Sequence, residues 1–346
     1  MCRLPVEILT ENFKWRCGRS HLTIGGELNE GTDRFEQSVK TPTLDIAQTC
    51  SLWHNIVLSR PSLWTRIEVD LNCDRQSESL VDLVTLYLSR SSPRELTLTI
   101  EAWENDGNAD SLTETGLSML LALVKEKHRW KAVEFSLSIS VFDGLNFAGE
   151  CRRSCDCLEE LTLPDEMDAM DNDRTRTKFA IDAFHEMLYH TPELHTLKIK
   201  GQFSEHLIGT GVFDVRTFIL DIRGNELDLD NVFTLLAMYR FLGSLDILPD
   251  FDHEPEIPLP PALPNGVSVI DSPLQHLSIT VRDDSDSECR GLIASAYLFQ
   301  YLRARELKDL WIRGTNLKDP ADSEERDICF NSLTKFLRAP SASCKD

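Results

Sequence analysis

A six-residue phrase recurs along this chain and constrains its fold more than any other feature. It reads LEELTL at 158–163, LHTLKI at 194–199, TFILDI at 217–222, LGSLDI at 242–247, LQHLSI at 274–279 and LKDLWI at 307–312. Apolar residues at the fourth and sixth places alternate with polar ones, the period of a strand with one buried face. Stretches of helical spacing lie between the phrases, at 179–189, 232–241 and 292–302. The repeating unit is a short strand and a helix, which makes the chain α/β.

With the fourth place as anchor, the phrases fall on Leu161, Leu197, Leu220, Leu245, Leu277 and Leu310, at steps between 23 and 36 residues. A step that wanders while the strand phrase persists describes stacked strands with insertions in the outer connections. Looser versions occur at 67–71, 96–100 and 135–139, beside the helical stretches ESLVDLVTLYLSRS and GLSMLLALVKEK. A doubly wound sheet also alternates strand and helix, but it calls for longer, wholly apolar strands and a glycine-rich first turn. Neither is in the sequence.

The phrase resembles the leucine-rich repeat motif L-x-x-L-x-L-x-x-N, best at 217–225, TFILDIRGN, which ends on Asn225. Elsewhere the asparagine place holds Glu166, Gln202, Asp250, Arg282 or Thr315. The resemblance implies an irregular leucine-rich-repeat-like solenoid over 67–346, with short parallel strands, helices and a concave face that binds partners. Residues alternating with the buried Leu and Ile would form that face. Lys198, Lys200 and Arg223 are expected to cluster there on adjacent strands, and Trp311 and Arg313 to face outward as a binding anchor.

The formal net charge of −21 repels phosphate backbones and anionic membranes, so no nucleic acid or membrane is expected as a partner. The longest apolar run, 119–124, is far short of the ~20 residues that span a bilayer. The first 20 residues hold no secretory apolar core. The expected location is cytoplasmic or nuclear, with the ten cysteines as thiols. Cys151, Cys155 and Cys157 lie close together in CRRSCDC, yet no fourth ligand or second C-x-x-C accompanies them. Phosphate-loop, nucleophile-elbow and H-E-x-x-H motifs are missing, and His185 and His190 are five apart, which does not stack them for a metal. No enzyme activity, cofactor or metal is expected.

The first sixty-odd residues differ from the rest. Leu4 and Pro5 open a helix that carries Ile8, Leu9 and Phe13 on one side, and a second helix is predicted over about 43–59 on the stripe Ile46, Cys50, Trp53 and Val57. Pro61 ends it, followed by SLW. So small a unit cannot bury all these groups internally, and part of the face is expected to meet a partner. Residues 16–41 contain Gly25, Gly26 and Gly31 and read as an inserted loop.

LPVEILTENF at 4–13 and CSLWHNIVLSRPSLW at 50–64 are similar to the F-box domain in its form common among mushroom-type fungi. The matching residues are Leu4, Pro5, Glu7, Ile8, Leu9, Phe13, Cys50, Trp53, Leu58, Pro61, Leu63 and Trp64; Asn12 departs from the pattern, placing an amide on the apolar stripe. The resemblance implies a small all-helical domain over 1–66. It would dock a Skp-family adaptor, and through it a cullin, in a ubiquitin ligase whose substrate the repeats hold. Leu4, Pro5, Ile8, Leu9, Phe13, Trp53, Leu58, Pro61, Leu63 and Trp64 are the candidate adaptor residues, with Pro5, Leu9, Pro61 and Leu63 favoured as direct contacts and Trp53 as core. The alternative is a non-ligase interaction scaffold with a degenerate F-box.

Overall fold

The computed structural model describes residues 4–18, 20–29, 34–72, 78–102, 112–137, 155–163, 191–200, 215–222, 229–239, 241–249, 270–282, 298–315 and 331–336. The chain is α/β, built on a large, mostly parallel sheet. It divides into two compact units, one of 1–161 with 173–193 and the other of 162–172 with 194–346; the division passes through β6 (Glu160–Leu163).

The first unit opens with α1 (Val6–Cys17), β1 (Leu22–Asn29), β2 (Arg34–Lys40), α2 (Pro42–Thr49) and α3 (Ser51–Leu58). Gly18, at φ +64°, ends α1, its N–H reaching the carbonyls of Lys14 and Trp15. Then come β3 (Arg66–Asp70), α4 (Glu78–Ser91), β4 (Leu96–Glu101), α5 (Glu114–Lys125) and β5 (Trp130–Ser136), and the strand order is β2–β1–β3–β4–β5. All neighbours are parallel except β1 and β2, which form an antiparallel hairpin.

That hairpin corrects the reading of 16–41 as a loop. Leu22 and Ile24 alternate as a strand does, pair with Ile67 and Val69 of β3, and are buried. The glycines weaken the local signal, and pairing to a strand more than forty residues away supplies the order. The helix predicted over 43–59 is likewise two helices, because Cys50 is extended at φ −161° and ψ 165°. Cys50 is exposed, whereas Ile46 and Val57 are buried. The strand expected at 135–139 lies earlier, with Val133 and Phe135 beside Leu98 and Ile100.

Two segments of this unit are built alike. α3 leads through a 3₁₀ turn at Pro61–Leu63 to Trp64 and β3; α5 leads through one at Lys127–Arg129 to Trp130 and β5. Each indole Nε1–H donates to the carbonyl seven residues upstream in the end of the preceding helix, Trp64 to Val57 at 3.0 Å and Trp130 to Leu123 at 3.2 Å. Both rings are fully buried. The PSLW segment thus begins the strand–helix array as well as ending the helical opening.

A buried polar cluster ties the opening helices to that array. The Thr43 hydroxyl donates to the Leu63 carbonyl at 2.8 Å, the Tyr87 hydroxyl to the His21 carbonyl at 3.0 Å, and the Arg66 N–H to His21 Nδ1 at 3.2 Å. Cys17 Sγ lies 3.6 Å from the Thr43 hydroxyl. Burial, helped by the Arg66 charge, lowers the His21 pKa to about 4. His21 is therefore neutral when folded and protonates near 6.5 when unfolded. Between those values the unfolded chain takes up the proton, so stability is full above about pH 6.5 and falls as pH drops toward 4. The difference amounts to roughly 3 kcal/mol. Urea denaturation across that range should show a steeper pH slope for the native chain than for His21→Gln; equal slopes would refute it.

Arg129 fixes α4 to the turn after α5. Its guanidinium is buried and donates to the carbonyls of Arg94 at 2.8 Å and Leu88 at 3.3 Å, to the Ser91 hydroxyl at 2.7 Å and to the Glu126 carboxylate at 2.8 Å. The last turn of α4 is thereby capped by a cation, the sign its dipole favours.

The second unit contains β7 (Thr196–Lys200), β8 (Thr217–Ile222), α6 (Leu229–Met238), β9 (Ser244–Pro249), β11 (His276–Arg282) and β13 (Asp309–Thr315), in the parallel order β7–β8–β9–β11–β13. A separate pair joins β10 (Ile270–Ser272) to β12 (Leu302–Ala304). The joint between successive strands repeats. The carbonyl of His195 accepts from the N–H groups of Arg216 and Thr217, Arg216 from Gly243 and Ser244, Gly243 from Gln275 and His276, and Gln275 from Lys308 and Asp309, all at 2.8–3.0 Å.

This joint resets the third phrase. Leu197 pairs with Phe218, and Phe218 with Leu245, so the unit reads VRTFIL from Val215 rather than TFILDI from Thr217. Val215 is buried where the other phrases have Leu194, Leu242 and Leu274. The match ending on Asn225 is therefore two residues out of step. A slip of two leaves every side chain on its face, so Ile219 and Asp221 still alternate with the buried Phe218 and Leu220.

Candidate functional site

Two surfaces hold the candidate residues. On the first, Leu4, Pro5 and Ile8 are exposed, and Trp53, Leu58 and Pro61 are half-buried. Leu9, Phe13, Leu63 and Trp64, expected among the adaptor residues, are buried in the folded chain. Phe13 meets the edge of Trp53 at 5.0 Å, and Trp64 that of Tyr87 at 4.9 Å, so these rings close the internal core. The Asn12 amide, one turn after Ile8, is exposed and donates to the Ile8 carbonyl at 2.8 Å.

The outer side of α1 keeps an apolar stripe. Ile8 and Trp15 lie seven residues apart on one side and are 49 and 85% exposed; Val6, Leu4 just before the helix and, on α3, Leu52 are exposed as well. Sequence reasoning missed Trp15 and Leu52, since the first is outside the F-box match. Trp15 was within reach of the helical period counted from Ile8.

On the second surface, the outward residues of the second unit fall in rows across the strands. Thr196, Thr217, Ser244, His276 and Asp309 form one row; Lys198, Ile219, Asp246, Ser278 and Trp311 form the next. The buried residues between them, Leu197, Phe218, Leu245 and Leu277, pack on the other side. Lys198 is ion-paired to the buried Asp221 at 3.1 Å, which neutralises it within the expected basic cluster. Lys200 is half-buried opposite Asp221, and Arg223 lies outside the described residues.

Toward β13 the face becomes exposed. His276 Nδ1 is 2.7 Å from the Asp309 carboxylate, and the Arg313 guanidinium lies 5.4 Å from the centre of the Trp311 ring. Trp311 is 56% exposed, so the outward indole predicted from alternation is present. Burial raises the Asp246 pKa, against the opposing influence of Ser278, Arg313 and His276.

The corresponding face of the first unit is acidic, with Glu68, Asp70, Glu101 and Glu134 on β3, β4 and β5. Ser20 donates to Glu68 at 2.5 Å. Among the described residues no group of three His, Cys, Asp or Glu side chains is placed to hold a metal ion, and no helix is long and apolar enough to cross a membrane. Cys155 is buried and Cys157 half-buried, while Cys151, His185 and His190 lie outside the described residues. No family model and no curated protein matches the chain.

Proposed function

We propose that the chain is the substrate-recognition subunit of a Skp, cullin and F-box ubiquitin ligase, with α1 docking the Skp-family adaptor and the repeat-bearing region holding the target protein. The observation that supports this best is the exposure of Ile8 and Trp15 on α1, with Leu4 just before it, within and just past the segment that resembles an F-box. An amphipathic helix with its outer apolar residues uncovered suits helix-in-groove docking. The outward face with Trp311 and Arg313 suits a protein target, since Trp and Arg concentrate binding energy. The reading places both partners in the cytoplasm or nucleus and requires no cofactor.

Ile8→Asp tests the adaptor surface without disturbing the core, because Ile8 is half exposed. It is expected to weaken binding of purified Skp-family adaptor at least about tenfold while leaving the unfolding midpoint unchanged. Trp311→Ala should leave adaptor binding intact. The full chain failing to bind adaptor at tens of micromolar would remove the ligase reading. The second reading, an interaction scaffold with a degenerate F-box, is favoured by the internal burial of Leu9, Phe13, Leu63 and Trp64. It predicts target capture without adaptor.

A further inference from the structure

Among the described strands, β13 ends the sheet of the second unit, and its exposure differs from that of the strands behind it. Ile199, Ile247 and Ile279 are buried on the inner side, whereas Ile312 in the same row is 39% exposed. Leu310 is half-buried, and Asp309, Trp311 and Arg313 are exposed on the outer side. A terminal strand of this kind presents backbone groups on its free edge that can pair with another strand.

The segment Asp309–Arg313, DLWIR, is complementary to itself when reversed. In an antiparallel pair, opposite residues share a face and their Cβ atoms come within about 5 Å. Two copies of β13 centred on Trp311 would set Asp309 of each against Arg313 of the other. On the same face the two Trp311 rings would meet. On the inner face Leu310 would lie against Ile312 of the second copy and cover it. Every opposed pair is of opposite charge, aromatic or apolar, and no like charges face each other.

We propose that β13 is a self-association edge, which joins two copies of this chain through an antiparallel β13 pair about a two-fold axis at Trp311. The axis stands perpendicular to the sheet, so the outward faces of the two second units lie on the same side and continue across the joint. A single strand pair is a small interface, which sets the dimer at tens of micromolar rather than nanomolar. The inference is independent of the adaptor reading, because it involves no residue of α1.

Sedimentation of the full chain from about 1 to 100 μM should show a reversible monomer–dimer equilibrium. Arg313→Asp sets two acidic pairs in opposition, and Asp309→Arg two basic ones. Each variant alone should raise the dissociation constant about tenfold or more. An equimolar mixture restores both opposite-charge pairs, so a heterodimer should form where neither variant dimerises alone. That rescue also shows that both variants are folded. Ile8→Asp should leave the dimer unchanged. The proposal is overturned if the native chain stays monomeric, if the charge variants dimerise as the native chain does, or if the mixture fails to associate.

Discussion

Trp64→Ala is expected to destabilise the first unit by about 3–5 kcal/mol, the range for removing a buried tryptophan. The ring is fully buried against Tyr87, and its loss also leaves the Val57 carbonyl without its indole partner. Trp64→Phe retains most of the apolar volume and should cost less, about 1–3 kcal/mol, through the lost indole hydrogen bond and the smaller ring, the Val57 carbonyl keeping its bond from the Arg60 N–H. Chemical denaturation followed by circular dichroism gives both values. Equal stability of Trp64→Ala and the native chain would contradict the placement of this ring in the core. The result bears on function too. A loss of adaptor binding in Trp64→Ala would report unfolding, so exposed Ile8 is the proper probe of the adaptor surface.

Gly116→Ala should also be damaging, by about 2 kcal/mol net. A Cβ at this position would lie 1.9 Å from the Leu71 carbonyl oxygen, a backbone atom that cannot turn aside. Gly116 is in the first turn of α5, where its N–H donates to the Thr113 hydroxyl at 3.0 Å and that hydroxyl reaches the Leu71 carbonyl at 3.2 Å. The helix start is thus pressed onto the end of β3. Alanine gains up to about 1 kcal/mol of helix propensity. Moving α5 off Leu71 costs more, on the order of 3 kcal/mol. Leu117→Ala, one residue on and partly exposed, supplies the contrast with an expected loss of about 1 kcal/mol or less. Similar midpoints for the two variants would contradict the close approach.

The two tryptophans show where reading along the chain stops. Trp64 and Trp130 are each followed by a recognisable strand, and each is preceded by a helix. Their equivalence is visible only in the shared indole bond to the residue seven positions earlier. Hydrogen-bond partners of a buried ring depend on how the helix end is folded over the strand, and no local pattern encodes that. The burial of Leu9 and Leu63 was not legible for a related reason. A large apolar residue on an amphipathic helix or in the turn after one serves core and interface equally well, and only the neighbouring elements decide which.

Within the candidate surfaces, alternation alone placed Trp311 outward, because adjacent strand residues must point to opposite faces. The same alternation could not set Phe218 rather than Leu220 beside Leu197, since both are apolar and two residues apart. It also could not show Lys198 paired to Asp221, because that contact joins two strands separated by residues of no fixed count.

What the sequence by itself determined is the kind of element and its facing: strand phrases with one apolar side, helices α4 and α5, an α/β chain, and an outward row ending on Trp311 and Arg313. Those properties follow from periods of two and 3.6 residues, which are local. The tertiary structure alone decided the hairpin of β1 and β2, the register of β8, the closure around Trp64 and Trp130, and which residues of α1 remain uncovered. Each of these depends on pairing or packing between segments distant in the chain, where the free energy comes from contacts that no single stretch contains.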